Sequence, residues 1–286
     1  MHASITLALI SLAAATVTGA LGYGYSSITV PIALLMIGSR TLNPALVVVE
    51  VAVNGYSAFL NRHAIRRIWV RVAPVVIGVV PGVLVGSFLL ASLPSGTVKL
   101  VCYATLLPLI LTQAAGFRLP IRRERAAALP FGLSVGLLYS LTTISGPPLA
   151  LWFNNQGLTR ADFKVALAVT RVCESCLTLV TYAWLGLLTA DSWQLSGWLA
   201  PGVLLGMPLG HLLIERIAPE TFRRVCMSFD AWLVGFGLSR VVDDLTVVPS
   251  VICYQILTLT LVIDAILLRR FFATSHKEVP APVTTT

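Results

Sequence analysis

The chain has 286 residues, of which 57% are hydrophobic and only 11% are charged. A soluble domain averages about 25% charged residues, so this composition excludes a soluble fold and predicts an all-α protein that crosses the membrane several times. The formal net charge of +8 at pH 7 fits cytoplasmic loops, where Lys and Arg are retained, better than a surface for nucleic acid.

The first apolar segment is interrupted about twenty residues into the chain. The stretch "GALGYGYSSITVP", residues 19–31, places three glycines, two serines and a proline where a membrane helix should continue. Gly22 and Gly24 permit a turn with positive φ. We therefore expect the first helix to end here and the chain to turn inside the membrane.

A short helix is expected after this turn, over about residues 28–38. Ser26 or Ser27 is expected to cap it, with Pro31 tolerated near its first turn. The segment is too short to span the bilayer comfortably. We therefore interpret it as a half-helix.

Three longer apolar stretches complete the first half of the chain, at 45–60, 72–93 and 100–115. The first of them contains Glu50 and, one turn later, Asn54. An intramembrane carboxyl and an amide on one helix face are expected to line a cavity or to form hydrogen bonds between helices.

The second half begins with another interrupted segment, "LTTISGPPLALWF" at residues 141–153. Pro147 and Pro148 are expected to start a second half-helix over about 147–156. Apolar stretches follow at 165–188, 195–214 and 225–238. The turn and the cap before this half-helix are offered by Thr143, Ser145 and Gly146.

The two halves are similar in plan. The spacing Gly-x3-Gly-x3-Gly occurs twice, 124 residues apart, and the same offset carries Glu50 onto Glu174. We predict a single transmembrane domain over 1–271, with repeats at about 1–117 and 126–241, an extra helix at 245–268 and a short polar tail at 272–286. The repeated glycines are Gly78, Gly82 and Gly86 and their counterparts Gly202, Gly206 and Gly210.

Charge predicts that the repeats are inverted in the membrane. The loop "NRHAIRRIWVR" after the Glu50 helix is basic, whereas its counterpart "TADSWQ" has no basic residue, and the next pair of loops reverses this bias. Under the positive-inside rule, each repeat is then a broken hairpin plus three transmembrane helices, with the N-terminus outside and the C-terminus cytoplasmic. Only three basic residues outside the spans fall on the outer side: Arg40, Lys99 and Arg240.

Inverted half-helices point their N-termini at a common position near the bilayer midplane. Each N-terminus carries unpaired N–H groups and an effective charge near +0.5, which suits an anion. Glycine and proline also serve simply to let membrane helices pack closely or kink, so one such motif is weak support. Two motifs in matching places favour an anion site.

The segments "GALGYGYSSITVPIALLMIG" and "ISGPPLALWFNNQGLT", the internal duplication and the glycine-spaced helices resemble the sulfite exporter TauE/SafE family. The resemblance covers residues 5–241. It implies a plasma-membrane transporter of sulfite, organosulfonates or related small anions. The candidate substrate-binding residues are Gly22, Gly24, Tyr25, Ser26, Ser27, Asn54, Thr143, Ser145, Gly146 and Arg171.

Ionisable residues inside the apolar stretches are the candidates for coupling. A carboxyl in a low-dielectric region holds its proton more tightly, so either Glu50 or Glu174 is suited to carry a coupling proton. Arg171, one turn before Glu174, is a candidate ligand for the substrate anion or a partner in an internal ion pair. Asp264 is expected to reach the membrane surface or to pair with Arg269.

We weigh three functions for such an arrangement. The leading hypothesis is a secondary anion transporter that works by alternating access between the two halves, and the second is a passive anion channel. An intramembrane enzyme or a non-transporting assembly factor comes last, because the chain has no H-E-x-x-H motif and no Walker-type phosphate loop. We therefore predict no enzymatic activity.

No cofactor or metal is expected. Cys173 and Cys176 form a C-x-x-C pair without a second cluster of Cys or His, so small buried hydrophobes and a redox pair both remain open interpretations. The expected partners are a small anionic substrate, the lipid bilayer, a coupling proton or cation and a second copy of the chain, and no nucleic acid.

Overall fold

The computed structural model describes residues 2–60, 62–115, 124–156, 158–214, 219–245 and 249–275. Every regular element in these ranges is a helix, so the predicted all-α class is confirmed. In chain order the helices are α1 (His2–Leu21), α2 (Tyr25–Ala33), α3 (Ser39–Leu60), α4 (Arg62–Ser92), α5 (Ser95–Ala114), α6 (Glu124–Thr142), α7 (Gly146–Asn155), α8 (Arg160–Trp184), α9 (Ala190–Ile214), α10 (Pro219–Leu245), α11 (Ser250–Cys253) and α12 (Gln255–Ser275).

Five helical segments in the described ranges are long and apolar enough to cross a membrane. The last of them begins at Ser250 rather than at the predicted residue 245, because α10 continues to Leu245 and Pro249 precedes the next helix. Two shorter apolar helices lie in α1 and α6. The five segments are Ser39–Phe59, Arg62–Ser92, Ser95–Ala114, Arg224–Leu245 and Ser250–Ala273.

The first break is made by two left-handed glycines. Gly22 has φ 85° and Gly24 has φ 116°, and α2 begins directly after Gly24. The half-helix therefore starts three residues earlier than predicted and ends at Ala33. Pro31 consequently lies inside the helix rather than in its first turn.

The prediction that Ser26 or Ser27 caps this half-helix is wrong. Gly24 is the N-cap residue, and it has no side chain with which to accept a hydrogen bond. Both serines lie inside the first turn, where the hydroxyl of Ser26 donates to Glu50 instead. The turn geometry of the glycine starts this helix without a polar cap.

The second break matches its predicted position within one residue. Thr143 has φ 58°, and α7 begins at Gly146. Pro147 and Pro148 lie in the first turn, where the missing N–H groups have no helical acceptor to lose. Ser145 occupies the N-cap position without forming a side-chain cap.

Each half packs its glycine-spaced helix against the first helix of the other half. A Cβ atom on Gly82 of α4 would lie 2.2 Å from the carbonyl oxygen of Leu133 in α6. A Cβ atom on Gly206 of α9 would lie 2.6 Å from the carbonyl oxygen of Leu12 in α1. These four helices therefore pair backbone against backbone across the two repeats, whereas their inverted orientation stays a prediction.

The last helix is held by a buried ion pair. Arg224 of α10 donates from Nη2 to Asp264 Oδ1 of α12 at 2.8 Å, and Trp232 Nε1 donates to Oδ2 at 3.0 Å. The side chains of this ion pair are almost completely buried. The expectation that Asp264 reaches the surface or pairs with Arg269 is wrong, because Asp264 is buried and Arg224, near the start of the adjacent helix α10, is its ion-pair partner.

Candidate anion site

A small cavity lies where the N-terminal ends of the two half-helices meet. Its volume is about 20 Å³, enough for about one water molecule. Helices α1, α2, α5, α7 and α10 contribute to its wall. The lining residues are Val17, Leu21, Tyr23, Gly24, Ser27, Ile110, Gln113, Pro147, Cys226, Met227 and Asp230.

Both half-helices present their first turn to this cavity. Gly24 and Ser27 belong to the start of α2, and Pro147 belongs to the start of α7. Tyr23 lies between them, since a Cβ atom on Gly146 would be 3.2 Å from its ring. The first turn of α2 has backbone N–H groups without helical acceptors, whereas Pro147 has no N–H, so α7 acts on the cavity through the positive end of its dipole.

An amide fixes the position of Tyr23. Gln113 of α5 donates from Nε2 to the Tyr23 hydroxyl at 3.1 Å, and both side chains are buried. This contact joins α5 to the segment that separates α1 from α2. The cavity is thus closed on one side by a hydrogen bond between two elements of the first repeat.

Glu50 lies beside the first half-helix and is fully buried. Its carboxylate accepts a hydrogen bond from Ser26, another from the hydroxyl of Tyr139 at 2.6 Å, and an ion-pair bond from Arg171 Nη2 at 2.7 Å. Two hydroxyls and one guanidinium therefore donate to this carboxyl, and the guanidinium places a positive charge beside it.

Glu174 has the equivalent position beside the second half-helix but far fewer partners. Its Oε2 accepts from the hydroxyl of Ser145 at 2.6 Å, and its Oε1 has no hydrogen-bond partner. Each repeat therefore joins its buried glutamate to a serine at the start of its own half-helix. The two carboxyls differ because only Glu50 receives a cation.

Arg171 pairs across the repeats and not along its own helix. Its Nη2 bonds to Glu50, and its Nε has no partner. The sequence left two interpretations of Arg171 open, a ligand for the anion or a partner in an internal ion pair. The structure has the ion pair, and the partner is Glu50 rather than Glu174. A role in binding substrate stays a prediction.

The other candidate residues are distributed around the site. Tyr25 points away from the cavity, since its hydroxyl bonds to Ser11 of α1 at 2.9 Å. Asn54 of α3 and Thr178 of α8 are buried at equivalent places in the two repeats. Asn54 Nδ2 and Thr178 Oγ1 have no hydrogen-bond partner, and neither residue lines the cavity. Gly22 and Thr143 shape the two turns and do not line it.

Sequence reasoning missed four groups that the structure places at the site. Asp230 lines the cavity, and in the sequence it was visible only as an acid inside an apolar stretch. Gln113 was visible only as an amide in an apolar stretch. Tyr139 and Cys226 gave no signal, because their neighbours come from distant parts of the chain.

No group of three or more His, Cys, Asp and Glu side chains that would hold a metal occurs within the described ranges. Cys173 is partly buried, and Cys176 is exposed on the outside of α8. Both thiols of the C-x-x-C pair are free and lie outside the cavity lining.

Comparison with known proteins places this architecture in a family. The sequence profile described as "Sulfite exporter TauE/SafE" matches residues 7–236. The chain is 30% identical over 181 residues to the "Probable sulfite/organosulfonate exporter TauE" of Cupriavidus necator, which covers 60% of this chain and 67% of that protein. No solved structure matches it. The chain therefore belongs to the sulfite exporter TauE/SafE family, whose members are multi-pass membrane transporters and not enzymes.

Proposed function

We propose that this protein is a secondary transporter of a small sulfur oxyanion, sulfite or an organosulfonate, in the plasma membrane. The observation that carries the proposal is a cavity lined by the first turns of both half-helices. The name of the similar protein from C. necator gives the same ligand class, sulfite and organosulfonates.

Helix N-termini are suited to this ligand for a physical reason. Each half-helix contributes an effective charge of about +0.5, and the first turn of α2 adds unpaired N–H groups. The oxygens of a sulfite or sulfonate group accept hydrogen bonds in several directions, so they match the N–H groups of α2, while α7, which begins with two prolines, acts through its dipole. Ser27 adds a hydroxyl to the same cavity.

Transport requires the cavity to widen. A volume of about 20 Å³ admits a water molecule but is smaller than a sulfonate group. The starts of α2 and α7 therefore separate when the anion enters, first toward one side of the membrane and then toward the other. This is alternating access around a fixed site.

The boundary between the moving parts does not follow the boundary between the repeats. The closest backbone contacts join α4 to α6 and α1 to α9, and both pairs combine helices from different repeats. Ser196 of α9 donates to the carbonyl of Ala45 in α3 at 3.0 Å, and Arg67 of α4 donates from Nε to Asp162 in α8 at 3.1 Å. We therefore define one body as α4, α6 and α8, and the other as α1, α3 and α9.

These two bodies meet where α3 packs on α8. The ion pair between Glu50 and Arg171 crosses this contact. Because the pair lies beside both half-helix starts, separation of the bodies strains it directly. The ion pair therefore stabilises the closed conformation.

Glu174, rather than Glu50, is the group that carries a coupling proton. Glu50 is already neutralised by Arg171, whereas Glu174 has one hydroxyl donor, a free carboxyl oxygen and no cation bonded to it. A buried carboxylate without a counter-ion is costly in a low-dielectric region, and protonation removes that cost. An anion bound nearby favours the protonated form further.

In this proposal the N-terminus lies outside and the C-terminus lies in the cytoplasm. The basic segment at the start of α4 then faces the cytoplasm. Two of the outer basic residues have carbonyl partners: Lys99 Nζ donates to Leu34 O at the end of α2 at 2.6 Å, and Arg40 Nη2 donates to Ala91 O near the end of α4 at 2.8 Å. These contacts supply a structural reason for basic residues on that side.

The test is flux into liposomes that contain the purified protein. We expect saturable uptake of methanesulfonate and of sulfite, driven by a pH gradient. In Glu174→Gln the gradient should drive less accumulation than in the wild type, whereas exchange of internal for external anion should continue. Empty liposomes and liposomes with the wild-type protein but no gradient are the controls.

Each outcome of this assay decides a part of the proposal. No flux of either anion under any gradient would exclude the transport function as proposed. Conductive flux that ignores the pH gradient in the wild type would favour the passive channel. Loss of exchange together with accumulation in Glu174→Gln would remove Glu174 from the coupling role.

A further inference from the structure

Asp230 is the acidic side chain in the wall of the anion cavity. It lies on α10 and is only 7% exposed, and its Oδ1 has no hydrogen-bond partner. Lys, Arg and His are all missing from the described residues that line the cavity. A buried carboxyl that faces a cavity without a cation is unusual in a membrane, because the bilayer offers no water to solvate it.

The elements around Asp230 supply no compensating charge to it. α10 packs against α1, α2, α5, α11 and α12. In the cavity the other groups able to titrate are Tyr23, which is bonded to Gln113, and Cys226, one turn earlier on α10. On α12, Asp264 already forms an ion pair with Arg224.

The remaining titratable and charged groups on these elements are engaged elsewhere or lie at a distance. Lys99 of α5 is bonded to the carbonyl of Leu34, and Tyr25 of α2 is bonded to Ser11. Cys102 and Tyr103 lie about three helical turns from Gln113 on α5. The others on these helices are Cys253 of α11, Arg269 and Arg270 of α12 and, toward the end of α10, Arg240, Asp243 and Asp244.

Charge at the site then decides what can bind. The two half-helix starts together supply an effective charge of about +1. Glu50 is neutralised by Arg171, and Glu174 is neutral in the proposed coupled state. An ionised Asp230 would cancel the remaining positive charge and repel an anion, whereas a protonated Asp230 would leave a site that matches one negative charge.

We propose that Asp230 takes up a proton when the cavity binds its anion and that the resulting carboxyl donates a hydrogen bond to an oxygen of the anion. This inference rests on the proposed function. The step is a simple addition, in which the carboxylate gains one proton and no other bond forms or breaks. The proton enters with the substrate, so anion binding weakens as the pH rises.

The experiment measures binding of methanesulfonate to detergent-purified protein at several pH values between about 5 and 9. Methanesulfonate is chosen because its charge stays constant over this range, unlike that of sulfite. Above the midpoint of Asp230, uptake of its proton should add about a tenfold rise in Kd per pH unit to the pH dependence that Glu174 gives the wild type. Asp230→Asn, which resembles the protonated form, should lack this added dependence on pH and should bind more tightly than the wild type at the alkaline end.

Asp244→Asn is the matched control, since Asp244 is exposed at the end of the same helix. It should retain the wild-type pH dependence. If Asp230→Asn does not fold, Asp230→Ser replaces it as a second neutral variant. Infrared difference spectra add an independent readout: a carboxylic-acid band should appear when methanesulfonate is added to the wild type and should be missing in the neutral variant.

Two results would overturn the inference. Equal pH dependence in the wild type and in Asp230→Asn would show that Asp230 is not the proton site. Loss of binding at every pH in Asp230→Asn would show that the charged carboxylate is needed, as for a ligand that also carries an ammonium group. If neither protein binds methanesulfonate at any pH, the proposed anion site itself fails, and this inference fails with it.

Discussion

Arg171 of α8 bonds to Glu50 of α3 across the two repeats, at 2.7 Å between Nη2 and Oε1, although Glu174 lies only one turn along its own helix. Both side chains are almost completely buried. The pair therefore joins two helices that the sequence places 121 residues apart. Breaking it leaves a charge inside the membrane region without compensation.

We expect Glu50→Gln to destabilise the protein by about 3 kcal/mol, because removal of one member of a buried ion pair leaves the other unpaired. Glu174→Gln should cost less than about 1 kcal/mol, since a neutral amide oxygen still accepts from Ser145. Thermal unfolding in detergent measures both. Equal destabilisation by the two substitutions would contradict the assignment of the cation to Glu50.

Adding Arg171→Met to Glu50→Gln should restore most of the lost stability, because the double variant removes both charges together. Arg171→Met alone should be about as unstable as Glu50→Gln alone. The measurement is a double-mutant cycle on the unfolding midpoint. Additive losses in the double variant would mean that the two residues do not act as a pair.

The glycine contacts between the repeats predict a contrast on one helix. Gly206→Ala should destabilise by about 1–3 kcal/mol, because its Cβ would lie 2.6 Å from the carbonyl oxygen of Leu12. Gly197→Ala, also on α9, should be neutral or stabilising, since nothing lies within 4 Å of its Cβ position and alanine favours helix. Thermal unfolding of both variants is the check, and a harmless Gly206→Ala would argue against this close approach of α1 and α9.

Two adjacent serines in α2 have separate expected effects. Ser27→Ala should weaken methanesulfonate binding about tenfold, because it removes a hydroxyl donor from the cavity. Ser26→Ala removes a donor to Glu50 and should affect unfolding more than binding. Titration calorimetry and thermal unfolding separate the two effects. If Ser26→Ala weakened binding and Ser27→Ala did not, the anion would bind beside Glu50 and not in the cavity.

Cys226 offers a direct probe of the cavity. In a variant that retains only this cysteine, bound methanesulfonate should slow its reaction with a small water-soluble methanethiosulfonate, because the thiol lines the proposed site. A cysteine introduced at Asp244, which is exposed at the end of α10, should react at the same rate with and without the anion. Identical rates for Cys226 with and without the anion, at a concentration that saturates the protein, would place the anion elsewhere.

Some of this structure could be predicted from the sequence because it depends on local chemistry. The left-handed glycines at 22 and 24 and the prolines at 147 and 148 act through their own backbone, so both breaks were expected where they occur. The start of α2 was predicted too late in the chain because a serine was expected to cap the helix. Gly24 is the N-cap residue instead, and its left-handed backbone starts the helix without a side-chain cap.

The partners of the charged groups could not be predicted in the same way. Glu50 receives donors from positions 26, 139 and 171, and Asp264 receives one from Arg224. The sequence showed that both acids lie in apolar stretches, but their partners depend on how the helices pack in three dimensions. Asp230 lacked an assigned role for the same reason, since its cavity includes residues from α1, α2, α5 and α7.

The most direct test of the central claim is an experimental structure with a bromine-labelled alkanesulfonate bound, in which the heavy atom locates the ligand. We expect the sulfonate group to lie between the first turn of α2, at Gly24 and Ser27, and the first turn of α7, at Pro147. The volume of the cavity should then exceed the present value of about 20 Å³. A sulfonate bound away from both half-helix starts would contradict the proposed site.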